Sequence, residues 1–212
     1  MSGMGKTACV RVNSVARSAC GTGVRSPENC ESNWNPMFLL RKPSKQFIGQ
    51  VIESQSLLDF SYSAVGATKD GQHPNGFIVD HNRIRLGTGL TTFNAAKLAL
   101  RNWQHYKFDW IELHRPDDAP AKDQNVGVLA RALGLWVLNT CRIVYVIEEE
   151  QPIRRFAFAY GTLPEHPECG EERFQVEWHS NDDSVWYDIL AFSRPHHLFA
   201  RLGYPYVRHK QK

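Results

Sequence analysis

The clearest alternation of apolar and polar positions runs from Arg173 to Phe192. Phe174, Val176 and Trp178 point one way and Arg173, Gln175, Glu177 and His179 the other, the period of a half-buried antiparallel strand. The polar run SNDDS at 180–184 turns the chain. Val185, Tyr187, Ile189 and Ala191 then oppose Trp186, Asp188, Leu190 and Phe192 on the next strand. Both faces of that strand are largely apolar, which predicts cover on both sides. Asp188 is the exception, and a buried carboxylate needs partners or a raised pKa. Ser193 and Pro195 predict the start of a last helix, with Leu198, Phe199, Leu202 and Tyr206 on its apolar side.

Upstream, MFLLRKP at 37–43 is extended and apolar, and Ser44 is placed to cap a short helix whose face is Phe47, Ile48, Val51 and Ile52. The polar stretch through Ser63, Gly66 and HPNG at 73–76 reads as loop. Residues 76–86 have strand composition, with Asp80 and Asn82 on the face of Ile78, Ile84 and Leu86. Thr91 or Thr92 is predicted to cap a helix carrying the stripe Phe93, Ala96, Leu100 and Trp103, with Lys97 and Arg101 on its solvated side. Strand-like segments follow at 110–114, 126–137, 139–147 and 153–160. The period of 126–138 also permits a helix, and strand is the preferred reading. In 139–147 strict alternation puts Cys141, Ile143, Tyr145 and Ile147 on one face, and 161–170 reads as a long connection.

From residue 76 the order is strand, helix, about six strands, helix. Near-consecutive strands without helical crossovers pair as hairpins. The predicted class is therefore α+β: a curved antiparallel sheet of about six or seven strands gripping a C-terminal helix, the helix-grip order of START-like proteins. Such sheets often enclose an apolar cavity.

Composition narrows the function classes. Of 212 residues, 42% are hydrophobic and 22% charged, which is globular usage. The net charge of +3 is small and its signs are interspersed, which argues against a nucleic-acid partner. Residues 1–36, with Lys6, Arg11, Arg17 and Arg25 against Glu28 and Glu31, show no apolar period. They read as a disordered extension, or an early start ahead of Met37, before a single domain at 37–212. Their Arg- and Ser-containing start has the composition of an organellar transit peptide, the minor alternative. Cys9, Cys20, Cys30, Cys141 and Cys169 form no CxxC pair, so free thiols in a reducing, cytoplasmic setting are expected. No apolar run is long enough to span a membrane as a helix.

Several long stretches also resemble one family. They are FxYxxVGAT at 60–68, VDHNRIRLGTG at 79–89, the Asn102-Trp103 pair and LNTCRIVYV at 138–146. FAYGTLPEHPECGEERF at 158–174, VWYDILAFSRP at 185–195 and LGYPY at 202–206 continue the match. The chain resembles, from about residue 37 to its end, the group catalogued as domain of unknown function nineteen-ninety, found in bacteria and plants. The resemblance implies a domain and carries no catalytic residues across.

Polar residues within apolar strands are the site candidates: Asp80, His81, Arg142, Tyr160, Thr162, His166, Glu172, Trp186 and Asp188, with Glu171 beside them. A cavity with a few convergent polar groups is the usual small-molecule site. The expected partner is a small hydrophobic or amphipathic molecule, with no cofactor. The alternatives are a general acid–base enzyme using Asp188, His81 or Tyr160, and an interaction module with a filled core. A purely structural reading pairs Arg142 with Asp188 or Glu172. His166, Cys169 and Glu171 match no metal-ligand spacing, GxSxG is absent, and no metal is expected. Glu171 and Glu172, as neighbours on a strand, must face opposite ways.

Overall fold

In a computed structural model of the chain, the described residues are 37–114, 118–132 and 134–195. Eight strands form one sheet: β1 (Met37–Leu39), β2 (Ile78–Thr88), β3 (Ile111–His114), β4 (Asn125–Ala132), β5 (Leu135–Glu149), β6 (Arg154–Thr162), β7 (Glu168–His179) and β8 (Ser184–Pro195). Two helices accompany it, α1 (Lys45–Ser54) between β1 and β2 and α2 (Gly89–Arg101) between β2 and β3. The sheet order is β2-β8-β7-β6-β5-β4-β3, every pairing is antiparallel, and β1 adds to β5. The α+β class holds, with eight strands in place of six or seven. Residues 126–138 are strand, turned at Gly134 between β4 and β5.

Local chemistry accounts for these elements. Ser44 caps α1, its hydroxyl accepting from the Phe47 N–H at 3.2 Å. The apolar side of α1 packs Ile48 and Val51 on Leu129 and Leu138. Helix α2 begins earlier than expected, at Gly89 after Thr88, and the Thr92 hydroxyl donates back to the Thr88 carbonyl at 2.6 Å. Its stripe is as the period predicts. Phe93, Leu100 and Trp103 are buried against Phe156, Phe158, Phe174, Val176 and Val185. Lys97 and Arg101 on its other side pair with Glu148 of β5.

Three expectations need correction. Ser193 does not cap a helix, because β8 continues to Pro195, pairing Ile78 with Ser193 and Glu168 with Pro195. Proline is tolerated there because β2 has already ended, so its missing N–H faces no ladder partner on that side. The final helix expected beyond Pro195 lies outside the described residues, as do residues 1–36. Second, the connection after β6 is short, because β6 runs to Thr162 and β7 starts at Glu168. Third, the alternation of β5 breaks at a bulge between Ile143 and Tyr145. Cys141, Ile143 and Val146 therefore enter the core under α2, while the Tyr145 hydroxyl meets that of Thr68, 2.7 Å away, on the opposite face.

The sheet thus has an α2 face and a loop face, the latter covered by α1 and by residues 55–77. Two glycines mark how closely that loop and the strands approach. A Cβ on Gly161 would lie 2.1 Å from the Tyr62 hydroxyl, and one on Gly170 would lie 1.9 Å from the Phe192 carbonyl of β8.

Candidate functional site

The loop face carries a paired network. Glu171, 2% exposed, accepts from the Tyr62 hydroxyl at 2.7 Å, the Gly66 N–H at 2.7 Å, the Thr68 N–H at 3.1 Å and the Thr68 hydroxyl. Burial and the Glu171 charge push the Tyr62 phenol well up, so it stays a donor. Arg173, 8% exposed, donates to the Thr68 carbonyl at 2.9 Å and to Asp188 at 2.7 Å. Asp188, 4% exposed, also meets His81 Nε2 at 2.8 Å. Arg142 donates to the carbonyls of Gln55, Ser56 and Leu58 at 2.8–2.9 Å and to Asn125 Oδ1 at 2.8 Å.

The expected Arg142 pairing with Asp188 or Glu172 is therefore corrected. Glu172 faces the other side of the sheet. Asp188 on β8 is reached first by Arg173 of the adjacent β7, whereas β5 lies three strands away, about 14 Å.

The other candidates on this side are held by neighbours. Trp186 donates to the Ser184 hydroxyl at 2.8 Å and carries the Arg83 guanidinium 4.7 Å above its ring. The Thr162 hydroxyl lies 2.6 Å from that of Ser61 and accepts from the Gly170 N–H at 2.9 Å, joining the end of β6 to β7. His166 closes the β6–β7 turn, its Nδ1 accepting from the Glu168 N–H at 3.0 Å.

The α2 face gathers a different set. Register aligns Asp80, Ala191, Glu172, Tyr160 and Ile143 in one row across β2, β8, β7, β6 and β5. The Tyr106 hydroxyl donates to Tyr160 at 2.6 Å, and Tyr160 donates to Glu172 Oε2 at 2.5 Å. Asp80 stands two strands from Glu172, about 10 Å between backbones, with Ala191 between them in the row. Desolvation raises the Glu172 carboxyl to about 7, and the charges of Glu168 and Asp80 push it the same way against the Tyr160 hydrogen bond. Burial raises the phenols of Tyr106 and Tyr160, so both remain protonated donors.

Helix α2 covers the half of this face nearest the β7–β8 turn. Tyr160, Glu172, Ile189 and Ala191, in the other half, stay half-buried. Phe174 forms the boundary, its ring 5.5 Å from Tyr160, 6.0 Å from Tyr106 and 4.6 Å from His105.

Sequence reasoning missed three residues of this cluster. Tyr106 and His105 sit in a single 3₁₀ turn (Gln104–Tyr106) that follows α2 after Trp103 adopts a left-handed φ of 56°. Without that backbone reversal the two rings would not return over the sheet, and no periodicity announces it. Burial lowers the His105 imidazole to about 3, so it is neutral, and neither ring nitrogen finds a hydrogen-bond partner. The Tyr187 hydroxyl is likewise buried without a partner, and its phenol is raised by burial and by the Glu172 charge. A signal for Tyr187 was present in the strand alternation, which places it on the Ile189 side.

An open depression of about 800 Å³ lies elsewhere, between α1 and the β3–β4 edge, lined by Lys45, Ile48, Ile52, Glu53, Glu112 and His114. It contains none of the candidates and opens widely to solvent. Among the described residues, Cys141 and Cys169 are buried, no acidic, histidine and cysteine side chains cluster as a metal site, and no helix is long and apolar enough to cross a membrane.

Comparison with known proteins places the chain. Residues 61–212 match the family model described as Domain of unknown function (DUF1990). A UPF0548 protein of Dictyostelium discoideum is 35% identical over 192 residues, covering 82% of this chain and 89% of that protein. UPF0548 proteins of Arabidopsis thaliana and Deinococcus radiodurans are 34% and 33% identical, covering 65% and 83% of this chain and 68% and 92% of their own lengths. A solved structure of a hypothetical protein from Helicobacter pylori is similar at 14% identity and a TM-score of 0.38, over 57% of this chain and 71% of that one, too distant to inform the fold or the site. With most of its length matched at these levels, the chain belongs to the DUF1990/UPF0548 family, whose function is unknown.

Proposed function

We propose that the protein binds a small amphipathic molecule on the half of the α2 face that α2 leaves uncovered, in the manner of helix-grip proteins. The helix that the sequence pattern predicts beyond Pro195 lies outside the described residues. One observation carries the reading. Glu172 and Tyr187 Oη are polar groups among aromatic side chains, the first raised to about 7 and the second buried without a partner. An unsatisfied buried polar atom costs about 1–3 kcal/mol, so such atoms on a half-buried sheet face mark where a ligand's polar group would belong.

Native mass spectrometry of protein purified without detergent tests this. A one-to-one small-molecule adduct is expected, and it should vanish in Ala191→Phe, whose ring would fill the gap between Asp80 and Glu172. Spectra at the bare protein mass, with no amphipathic probe binding in titrations, would overturn the reading.

The carboxyl of Glu172 favours a second reading, general acid–base catalysis on the same half-buried face. A carboxyl near 7 exchanges protons at neutral pH, and Tyr160 and Tyr106 form a donor chain behind it. In this reading Glu172 and Tyr160 act, while His81 and Asp188 bond each other on the opposite face. Turnover of a bound small molecule that disappears in Glu172→Gln, with binding retained, would separate catalysis from simple capture.

A further inference from the structure

The depression between α1 and the β3–β4 edge has an apolar middle and a charge at each end. Its volume of about 800 Å³ lies within the range of small-molecule sites, about 300–1,000 Å³. One wall is a single side of α1, where Lys45, Ile48, Gly49, Ile52 and Glu53 recur at helical spacing. Ile48 and Ile52 occupy the middle of that wall. Lys45 and Glu53, of opposite charge, stand eight residues apart at its ends, about 12 Å along the axis.

The opposite wall is the end of the sheet, where β3 is the last strand in the order. Glu112 and His114 stand opposite Leu129 and Gly127 of β4, the positions against which Ile48 and Ile52 pack. Lys42 pairs with Glu112 and answers its charge. His114 Nε2 is buried without a hydrogen-bond partner, 3.8 Å from Glu112 Oε2. Burial lowers the His114 imidazole, Glu112 opposes, and the Lys45 and Lys42 charges add to the lowering, so the Lys45 ammonium is felt across the depression at β3.

The same wall offers backbone groups. Leu113 packs its side chain into the core under α2, so what it presents to the depression is main chain. The Arg131 N–H donates to the Trp110 carbonyl at 2.9 Å. Bonded pairs alternate along an antiparallel ladder, so Glu112 and His114 bond to β4 while the N–H and carbonyl of Leu113 point to the outer edge. Gln124 and Asn125 add amides near the Glu53 end, where Arg142 ties Asn125 to the carbonyls of Gln55 and Ser56.

A ligand that fits brings a negative group, an amide-like middle with an apolar branch, and a positive group, in that order. A fatty acid would answer Lys45 alone, and a simple amine Glu53 alone. A short peptide answers both, because three or four extended residues span about 10–14 Å between ammonium and carboxylate. Helix α1 runs in the direction of β3, since Ile48 lies at the level of Glu112 and Ile52 at that of His114. A peptide with its carboxylate at Lys45 therefore lies antiparallel to β3, the pairing that every strand of this sheet makes.

We infer that the depression accepts a short free peptide of three or four residues. Its C-terminal carboxylate sits at Lys45, its N-terminal ammonium at Glu53, its backbone along Leu113 and an apolar side chain against Ile48 and Ile52. The site is separate from the α2 face, and binding at one place does not require binding at the other.

Ala-Leu-Ala with free ends, its N-acetyl form and its C-terminal amide test this by nitrogen-15 NMR titration of the full chain at low salt. The free peptide should bind, with shift changes at the backbone amides of Gly49, Ile52, Leu113 and Asn125. Each capped form should bind about threefold more weakly, the effect of losing one partly exposed ion pair. Lys45→Ala should remove the advantage of the free peptide over the amide and keep its advantage over the acetyl form. Glu53→Gln should do the reverse. Both residues are exposed, and unfolding curves check that the variants fold.

Equal binding of the free and capped peptides would overturn the assignment, as would shift changes confined to another surface. No saturation by Ala-Leu-Ala or Ala-Phe-Ala at millimolar concentration would overturn it as well.

Discussion

Glu171 and Glu172 are adjacent in sequence and opposite in circumstance. Glu171, on the loop face, accepts four hydrogen bonds from Tyr62, Gly66 and Thr68. Glu172, on the α2 face, accepts one, from Tyr160, and is raised to about 7. The same contrast extends across the sheet. Arg142, Arg173 and Asp188 on the loop face each have two or more partners, although Arg173 Nε and Gln175 Oε1 there are buried without one, whereas the side chains of His105 and Tyr187 on the α2 face have no hydrogen-bond partner at all. Saturated polar burial fastens a loop to a sheet. Unsaturated polar burial lowers stability, and its persistence on a half-buried face is the mark of a site. Polar deletions should therefore change stability with opposite sign on the two faces.

The largest effect is expected on the loop face. Arg173→Ala leaves Asp188 buried with His81 and, 4.0 Å away, the Arg83 guanidinium, and strips the Thr68 carbonyl of its donor. Removing one partner of a buried ion pair costs about 3–5 kcal/mol. Urea unfolding at pH 7 should show that loss with an unchanged m-value, and a loss below about 1 kcal/mol would mean the network is not what secures residues 66–70.

On the α2 face, Glu172→Gln should stabilise. The folded-state pKa is raised from 4.5 to about 7, so the stabilising contribution is fully present below pH 4.5 and lost as pH rises through 7. A carboxyl displaced that far changes stability by roughly 3 kcal/mol at most. Gln keeps an acceptor for Tyr160 and carries no charge. The variant should match the parent near pH 4.5 and exceed it by up to that amount at pH 8. A variant less stable than the parent at pH 8 would remove the contrast between the faces.

How much of this contrast was legible in the sequence depends on what period-2 reading can carry. Alternation set Glu171 opposite Glu172 and Tyr187 opposite Asp188, and both hold because β7 and β8 run without a bulge. It failed in β5, where the bulge moved Tyr145 to the loop face and Val146 to the core. Partner identity was not readable. Asp188 finds Arg173 because β7 is the neighbour of β8, and strand order follows from the whole fold and not from spacing. The loop at 60–68 was legible as a stretch of family resemblance and as polar punctuation, but nothing in its pattern announced that it supplies Tyr62, Gly66 and Thr68 to Glu171. His105 and Tyr106 were invisible for a local reason, since one left-handed residue, Trp103, redirects them.

His105 gives a third test, of the opposite pH sign from Glu172. Its folded-state pKa is lowered from 6.5 to about 3, so its contribution is present above pH 6.5 and lost as pH falls toward 3. By pH 5 the loss is about 2 kcal/mol relative to neutral pH. His105→Phe keeps the ring against Phe174 and removes the titration. The parent's acid-side decline between pH 6.5 and 4 should flatten in the variant, as followed by thermal unfolding. An unchanged acid limb would place that proton uptake elsewhere.

The smallest expected effect is the most pointed. Tyr106→Phe removes the hydroxyl that donates to Tyr160 and nothing else, so the ring contacts with Phe174 and His105 stay. A hydrogen bond of this kind contributes about 0.5–1.5 kcal/mol net. Tyr160 still donates to Glu172 but no longer receives, which weakens its hold on the carboxylate. Glu172 should then titrate somewhat above 7, and carbon-13 NMR of the labelled carboxyl would follow it. A shift upward with a stability change under about 1.5 kcal/mol would show that Tyr106 tunes the carboxyl through Tyr160. No shift would mean that Glu172 owes its pKa to burial and to the charges of Glu168 and Asp80 alone, and that the tyrosine chain plays no part in poising it.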